Sequence, residues 1–364
     1  MHYGVYLYKI SDNKRSINTI MIKASVIGAT GYAGAELVRM LLSHPEVKIK
    51  YLASKSYEGQ KLSAVYPNIQ TTDIELCGLD IEKIATASDV VFCALPHGVS
   101  AKTSSALLEY GTRVIDLSGD LRYDDEKVYE KWYGVEHTNP DVMKKAVLGL
   151  SEIYNEKISS ASIVANPGCY TTCSILALYP LLAEGVIESK GIIIDAKSGA
   201  TGAGRGAKTN LLFCEIDENL KAYGLTNHRH TSEIEQELSK AAGEEIILSF
   251  TPHLVPMKRG ILSTIYTDLK SGAGDEDIKA SYKKYYGDSP FINFTGYNIP
   301  ETKHVVGSNR LDIGFKTDPR LNKAIIVSAL DNIVKGAGGQ AIQNMNVMFG
   351  LDEEAGLCIN GLYL

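Results

Sequence analysis

Short apolar runs and helix-spaced stretches alternate through the first third of this chain. Residues 22–27, 48–53, 90–94 and 114–117 are brief and rich in apolar side chains, and they predict strands. Residues 35–42 and 99–110 repeat apolar positions with a period near 3.6 and predict helices. That alternation predicts a parallel sheet with right-handed crossovers. A further strand, 163–165, runs into Asn166-Pro167-Gly168, which is turn chemistry. Helix-like spacing then follows from 171 to 182.

Beyond this point the rhythm changes. Strands are expected over 191–196, 245–251, 261–269, 311–316 and 324–329, with helices from Thr231 onward, over 275–286 and over 336–349. This is an α+β pattern with an antiparallel or mixed sheet. No repeat, low-complexity tract or long linker intervenes. The change of rhythm divides the chain near 168. Residues 1–20 form an extension of unassigned role before Met21.

Composition narrows the class. The 364 residues are 45% hydrophobic and 22% charged, enough for two ordinary domains with real cores. The net charge of −6 leaves no basic stripe for nucleic acid. No apolar run approaches the roughly 20 residues that span a bilayer. Lys9, Asp12, Asn13, Lys14 and Arg15 interrupt the first 20 residues and argue against a signal peptide. The six cysteines lack paired or metal-binding spacing, which suits a reducing cytoplasm and indicates no metal site.

Cys169 stands out because it sits in a sharp strand-to-helix turn. Unpaired N–H groups and the helix dipole favour a thiolate there, so a pKa below the free value of about 8.5 is expected. The same N–H groups could hold an oxyanion. Cys173, one turn on, is expected to pack in the core.

Gly28, Gly31 and Gly34 follow the first strand in GxxGxxG spacing and open a helix, the arrangement that cradles a dinucleotide pyrophosphate. The second strand ends in Ser54-Lys55-Ser56 rather than an acidic residue. Hydroxyls and a cation there suit a ribose 2′-phosphate; otherwise Lys55 is a solvated surface lysine. His97, Ser118 and Arg122 fall beyond strand ends, where such sheets bind ligands. His97 could equally be a plain loop histidine, and Arg122 could pair with Asp120 or Asp124. A glycine-rich loop carries Lys197, Arg205 and Lys208 and can wrap an anion. His228 and His230 suggest proton transfer rather than metal, with Glu233 three residues on placed to orient His230 and raise its pKa.

Seven segments, taken together and in order, resemble the N-acetyl-γ-glutamyl-phosphate reductase family. They are GATGYAGAELVR (28–39), ALPHGVS (94–100), DLSGDLR (116–122), ANPGCY (165–170), SGATGAGR (198–205), HRHTSEIEQ (228–236) and GAGGQAIQNMN (336–346). Thr171 and Ser232 stand where that family commonly has proline.

The resemblance implies an α/β Rossmann domain plus an α+β catalytic domain with a mixed or antiparallel sheet, as in glyceraldehyde-3-phosphate dehydrogenase. It implies domains of 21–168, completed by 336–364, and 169–335. It implies NADPH-dependent reduction of an acyl phosphate through a Cys169 thioester, with His230 and Glu233 as the acid–base pair. NADP(H) contacts carried over are Gly28, Thr30, Gly31, Tyr32, Ala33, Gly34, Ser54, Lys55, Pro96, Ser198, Gly199, Gly202 and Asn344. Substrate contacts are Ser118, Arg122, Asn166, Lys208 and His228. A homodimer or homotetramer is expected. The same chemistry on aspartyl phosphate or carrier-linked aminoadipyl phosphate is the alternative.

Overall fold

The structure, a computed structural model, describes residues 21–70 and 72–363. The extension 1–20 lies outside the described residues. Among the described residues, thirteen strands form two sheets. The first contains β1 (Ile22–Ile27), β2 (Val47–Ala53), β3 (Val90–Cys93), β4 (Arg113–Asp116), β5 (Val147–Leu148) and β6 (Ile163–Ala165). Their order is β2-β1-β3-β4-β6-β5, and every pairing is parallel. β3 and β6 are buried at every position, as strands covered on both faces must be. This is the doubly wound α/β architecture that the alternation predicted.

The second sheet contains β7 (Ile193–Ser198), β8 (Lys221–Ala222), β9 (Ser249–Leu254), β10 (Ile261–Asp268), β11 (Ile292–Gly296), β12 (Leu311–Asp318) and β13 (Lys323–Leu330). Their order is β11-β12-β13-β10-β7-β9-β8. β7–β9 and β11–β12 pair in parallel and the rest antiparallel, so the sheet is mixed. Helices Cys169–Ala183, His230–Ala242 and Asp275–Tyr286 place core residues against it, among them Leu176, Ile234 and Ile278.

The helix Cys169–Ala183 is buried almost all round, even with Pro180 inside it. An all-round apolar helix belongs at the centre of a fold rather than on its surface. The chain then returns to the first sheet. After β13, Gly336 N–H donates to Asp331 O at 2.9 Å and Gly338 N–H to Ile333 O at 3.1 Å, which makes one π turn. Helix Gly339–Phe349 continues from it. Ala341, Ile342 and Met345 complete the core built on Val26, Leu37 and Phe92. A buried Lys335–Glu152 pair, 2.5 Å apart, fixes that return. Among the described residues no helix is long and apolar enough to cross a membrane.

Glu36, on the helix Tyr32–Leu41, ties the two sheets' units together. Its carboxylate accepts from Arg259 Nη1 at 3.0 Å and Nη2 at 2.9 Å, and from Arg39 at 2.8 Å. Burial alone would raise its pKa, but the hydrogen bonds from Arg259 and Arg39 bring it down from 4.5 to about 2. A depressed carboxylate contributes stability above its unfolded pKa and loses it as pH falls through the folded one. Glu36→Gln should therefore cost about 1.5–3 kcal/mol near neutrality. It should also flatten the fall in melting temperature between pH 4.5 and about 2. Melting curves across that range check both; an unchanged acid limb would remove Glu36 as the tie.

Candidate active site

β6 ends at Ala165, and Asn166-Pro167-Gly168 turns the chain into the central helix. Gly168 is its N-cap, at φ −73° and ψ 156°, with no side-chain cap, so first-turn N–H groups stay free for a ligand. A side chain there would displace its neighbours. A Cβ would lie 2.4 Å from His230 Nε2 and 2.9 Å from Arg122 Nη1. Gly336 of the π turn presses on the other side, where a Cβ would lie 2.7 Å from that of Cys169. Two glycines thus let a thiol, an imidazole and a guanidinium converge on one turn.

A cavity of about 780 Å³ opens above it. Cys169, His228 and His230 line it with Pro96 and His97 from the first unit, and Ser198, Gly199, Gly202 and Lys208 line it from the second. Every one of these was singled out from sequence. Burial is the largest influence on the thiol and outweighs the backbone N–H of Tyr170 and the Arg122 charge, pushing Cys169 up to about 11. The expected lowered thiol pKa is therefore corrected: desolvation wins over the helix end. His230 moves the other way. Burial first, then His228 and Arg122, hold it well below 6.5, so it stays neutral and can accept a proton. Burial likewise holds His228 down to about 4. Cys173 is fully buried, its sulfur 3.2 Å from Ser328 Oγ, as packing required.

The predicted contact between Glu233 and His230 is absent. Glu233 instead faces Arg122, with Nη1 3.2 Å from each carboxylate oxygen, and accepts from Thr171 Oγ1 at 2.9 Å and Tyr133 OH at 3.2 Å. His230 Nδ1 is buried without a partner among the described residues. A helix places i and i+3 on one side, but a desolvated guanidinium competes better for the carboxylate than a neutral ring does. The predicted rise in the His230 pKa is corrected with it.

Arg122 is corrected as a free anion contact. Its Nε donates to Asn166 O and its Nη2 to Leu117 O, so all three nitrogens serve the protein. Nor does it pair with Asp120, which accepts from the N–H groups of Gly98, Ser100 and Ala101. Ser118 is buried and donates to Asp116 at 2.7 Å. Asn166 and Asn344 are fully buried and bonded to each other at 3.0 Å, with Asn344 also donating to Gly149 O. None of these three side chains lines the cavity.

At the glycine-rich turn, Gly28 has φ +85°, and a Cβ there would meet Ala94 O at 2.2 Å. Gly31 caps the helix Tyr32–Leu41 without a side-chain acceptor, so the N–H groups around Tyr32 and Ala33 suit an anion. Gly34 lies against Gly28, where a Cβ would fall 2.2 Å from its carbonyl. Thr30 Oγ1 and Ser54 Oγ are 2.7 Å apart beside the exposed Lys55. Arg229, Lys221 and Tyr223 also line this cavity, beyond the residues expected from sequence. Arg229 stood in view between two histidines; Lys221 belongs to the two-residue edge strand β8 and Tyr223 follows it, a stretch too short for a periodic signal.

Residues 23–161 match the semialdehyde dehydrogenase NAD-binding domain, and residues 169–332 the semialdehyde dehydrogenase dimerisation domain. A curated N-acetyl-gamma-glutamyl-phosphate reductase from Alkaliphilus metalliredigens is 55% identical over 339 residues, 93% of this chain and 98% of that protein. One so named from Campylobacter jejuni is 51% identical over 337 residues, covering 92% and 98%. Among solved structures, aspartate semialdehyde dehydrogenase II of Vibrio cholerae, complexed with ASA, superposes with a TM-score of 0.69 at 19% identity, covering 91% of this chain and 98% of that one. Aspartate semialdehyde dehydrogenase with NADP from Candida albicans gives 0.63 at 18%, covering 90% and 98%. Those two share the fold alone, whereas identity above one half runs nearly end to end with the reductases. The chain belongs to the N-acetyl-gamma-glutamyl-phosphate reductase family.

Proposed function

We propose that this protein reduces N-acetyl-γ-glutamyl phosphate to N-acetylglutamate 5-semialdehyde with NADPH, releasing phosphate, in arginine biosynthesis. The observation that carries the reading is Cys169 at a helix start, sharing one cavity with His230 and with the cations Lys208, Lys221 and Arg229. The cofactor fits the first unit: an uncapped helix start suits pyrophosphate, and Thr30, Ser54 and Lys55 suit a 2′-phosphate. NADPH, when bound, supplies the hydride that reduces the thioester carbon.

The protein's own groups do the rest. Cys169 Sγ bonds to the acyl carbon as the carbon–oxygen bond to phosphate breaks, and the thiol proton passes to Nε2 of neutral His230. Departing phosphate takes a proton from solvent. First-turn N–H groups hold the carbonyl oxygen as charge develops on it. His230 then protonates that oxygen after reduction. When the carbonyl re-forms, the hydroxyl proton returns through His230 to the departing sulfur, which restores the thiol. A neutral thiol beside a neutral imidazole suits this sequence, since neither charge is stored in a desolvated site.

Arg229 and Lys208 take the substrate anions in this reading, in place of Arg122. The guanidinium of Arg229 lies 4.8 Å from the Tyr133 ring centre at the cavity wall. Residues 21–168 with 336–364 act as the nucleotide-binding unit and 169–335 as the catalytic and dimerisation unit. A cytoplasmic homodimer or homotetramer is supported by six free cysteines and by Ile193 and Tyr266, exposed on the outer face of the second sheet. The deciding assay is NADP-dependent oxidation of N-acetylglutamate semialdehyde, with and without phosphate. Turnover without phosphate, or on aspartate semialdehyde instead, would overturn the assignment.

Acyl phosphate without NADPH should leave one acyl group on Cys169, read by intact mass and peptide mapping, and Cys169→Ser should be inactive. His230→Asn should slow this acylation by about 10²–10⁴-fold. Because His230 stays neutral, wild-type acylation should have no inflection near the usual histidine value of about 6.5; an inflection there would mean an ordinary exposed histidine. Glu233→Gln should destabilise by about 3–5 kcal/mol by orphaning Arg122, yet add no inflection. Arg229→Gln should raise KM roughly tenfold or more with NADPH affinity unchanged, as loss of a charged hydrogen bond to substrate predicts. An unchanged KM would return the anion role to other side chains.

A further inference from the structure

Arg205 is the second unit's one direct hydrogen-bonding reach, among the described residues, to the turn at Thr30. It stands on the loop after β7 whose Ser198, Gly199, Gly202, Ala203 and Gly204 wall the Cys169 cavity. Its guanidinium crosses to the first unit and lies 5.2 Å from the Tyr57 ring centre and 4.9 Å from that of Tyr66. Nη1 donates to Thr30 O and to Tyr66 OH, each at 3.2 Å, and Tyr66 OH donates to Thr30 O at 2.9 Å. Nε and Nη2 have no hydrogen-bond acceptor and the cation no acidic partner among the described residues. Thr30 also carries the hydroxyl that meets Ser54, next to Lys55. An exposed guanidinium held between two rings, with donors to spare, is pre-set for an anion at the end of β2.

We propose that Arg205 is a ligand of the cofactor's 2′-phosphate, delivered by the catalytic unit, so that filling the adenosine end also settles this loop over Cys169. The inference rests on NADP(H) as the cofactor. It makes Arg205 a specificity residue for NADP over NAD and assigns Tyr57 and Tyr66 to holding it. The link to the catalytic cavity is covalent and short, since Gly204 next to Arg205 is already part of the cavity wall.

The test is titration calorimetry of the full chain with 2′,5′-ADP and with 5′-AMP, which differ by the phosphate in question and need no turnover. Arg205→Gln should weaken 2′,5′-ADP about tenfold or more, equivalent to about 1.4 kcal/mol, and leave 5′-AMP unchanged. Arg205→Lys should recover part of the loss. Cys214, exposed in the short helix Phe213–Ile216 that follows the loop, gives a second readout. Its alkylation, mapped by mass against exposed Cys358, should slow with 2′,5′-ADP in the wild type and not in Arg205→Gln. Equal losses for both nucleotides would make Arg205 a structural clasp and overturn the proposal, as would no loss. A Cys214 rate indifferent to 2′,5′-ADP in the wild type would overturn the coupling to the loop. If the wild type itself fails to prefer 2′,5′-ADP, the cofactor assignment fails instead.

Discussion

The buried Arg122–Glu233 pair is the interaction on which the site depends. Arg122 belongs to the loop after β4 in the first unit, and Glu233 to a helix of the second. Neither charge could stay buried alone, since an unpaired ion in such a place costs several kcal/mol. The pair therefore holds the two units in one relation. Its surplus bonds fix the turn around Cys169: Arg122 grips the Asn166 carbonyl, and Glu233 grips Thr171 of the central helix. Cys169 lies between those two anchors. His230, one helical turn before Glu233, is placed by the same carboxylate through the backbone rather than through its ring.

Around that anchor, electrostatics and desolvation oppose each other. A helix start and a nearby guanidinium favour a thiolate, but burial outweighs them and raises the thiol pKa to about 11. The same burial deprotonates His230. The result is a neutral thiol and a neutral imidazole lining one cavity.

Glycines and the returning C-terminal helix serve the same end by different means. Gly28 allows a backbone approach that any side chain would block, and Gly336 allows the π turn to close on Cys169. Lys335, next to Gly336, is buried on Glu152 and locks that turn to the first unit. The far end of the chain thus packs directly against Cys169.

The order and type of most elements were legible in the chain itself, because period-2 and period-3.6 patterns report which face each segment buries. The helix Asp275–Tyr286 and the strand run Ile22–Ile27 fell where the pattern put them. The stretch from Glu126 to Ser160 carried no such expectation: Glu126–Tyr133 and Pro140–Lys145 are too short to repeat a period, and Ser151–Ser160 is kinked at Tyr154. Residue type and turn chemistry singled out Cys169, His228, His230, Lys208 and the glycine-rich turn. Tertiary structure decided what those residues face. Ionisation states depended on how much water the assembled walls exclude, which no local pattern encodes. Partner choice depended on competition in space: Glu233 sits three residues from His230 in sequence, yet Arg122, more than a hundred residues away, takes its carboxylate because a buried full charge needs it more.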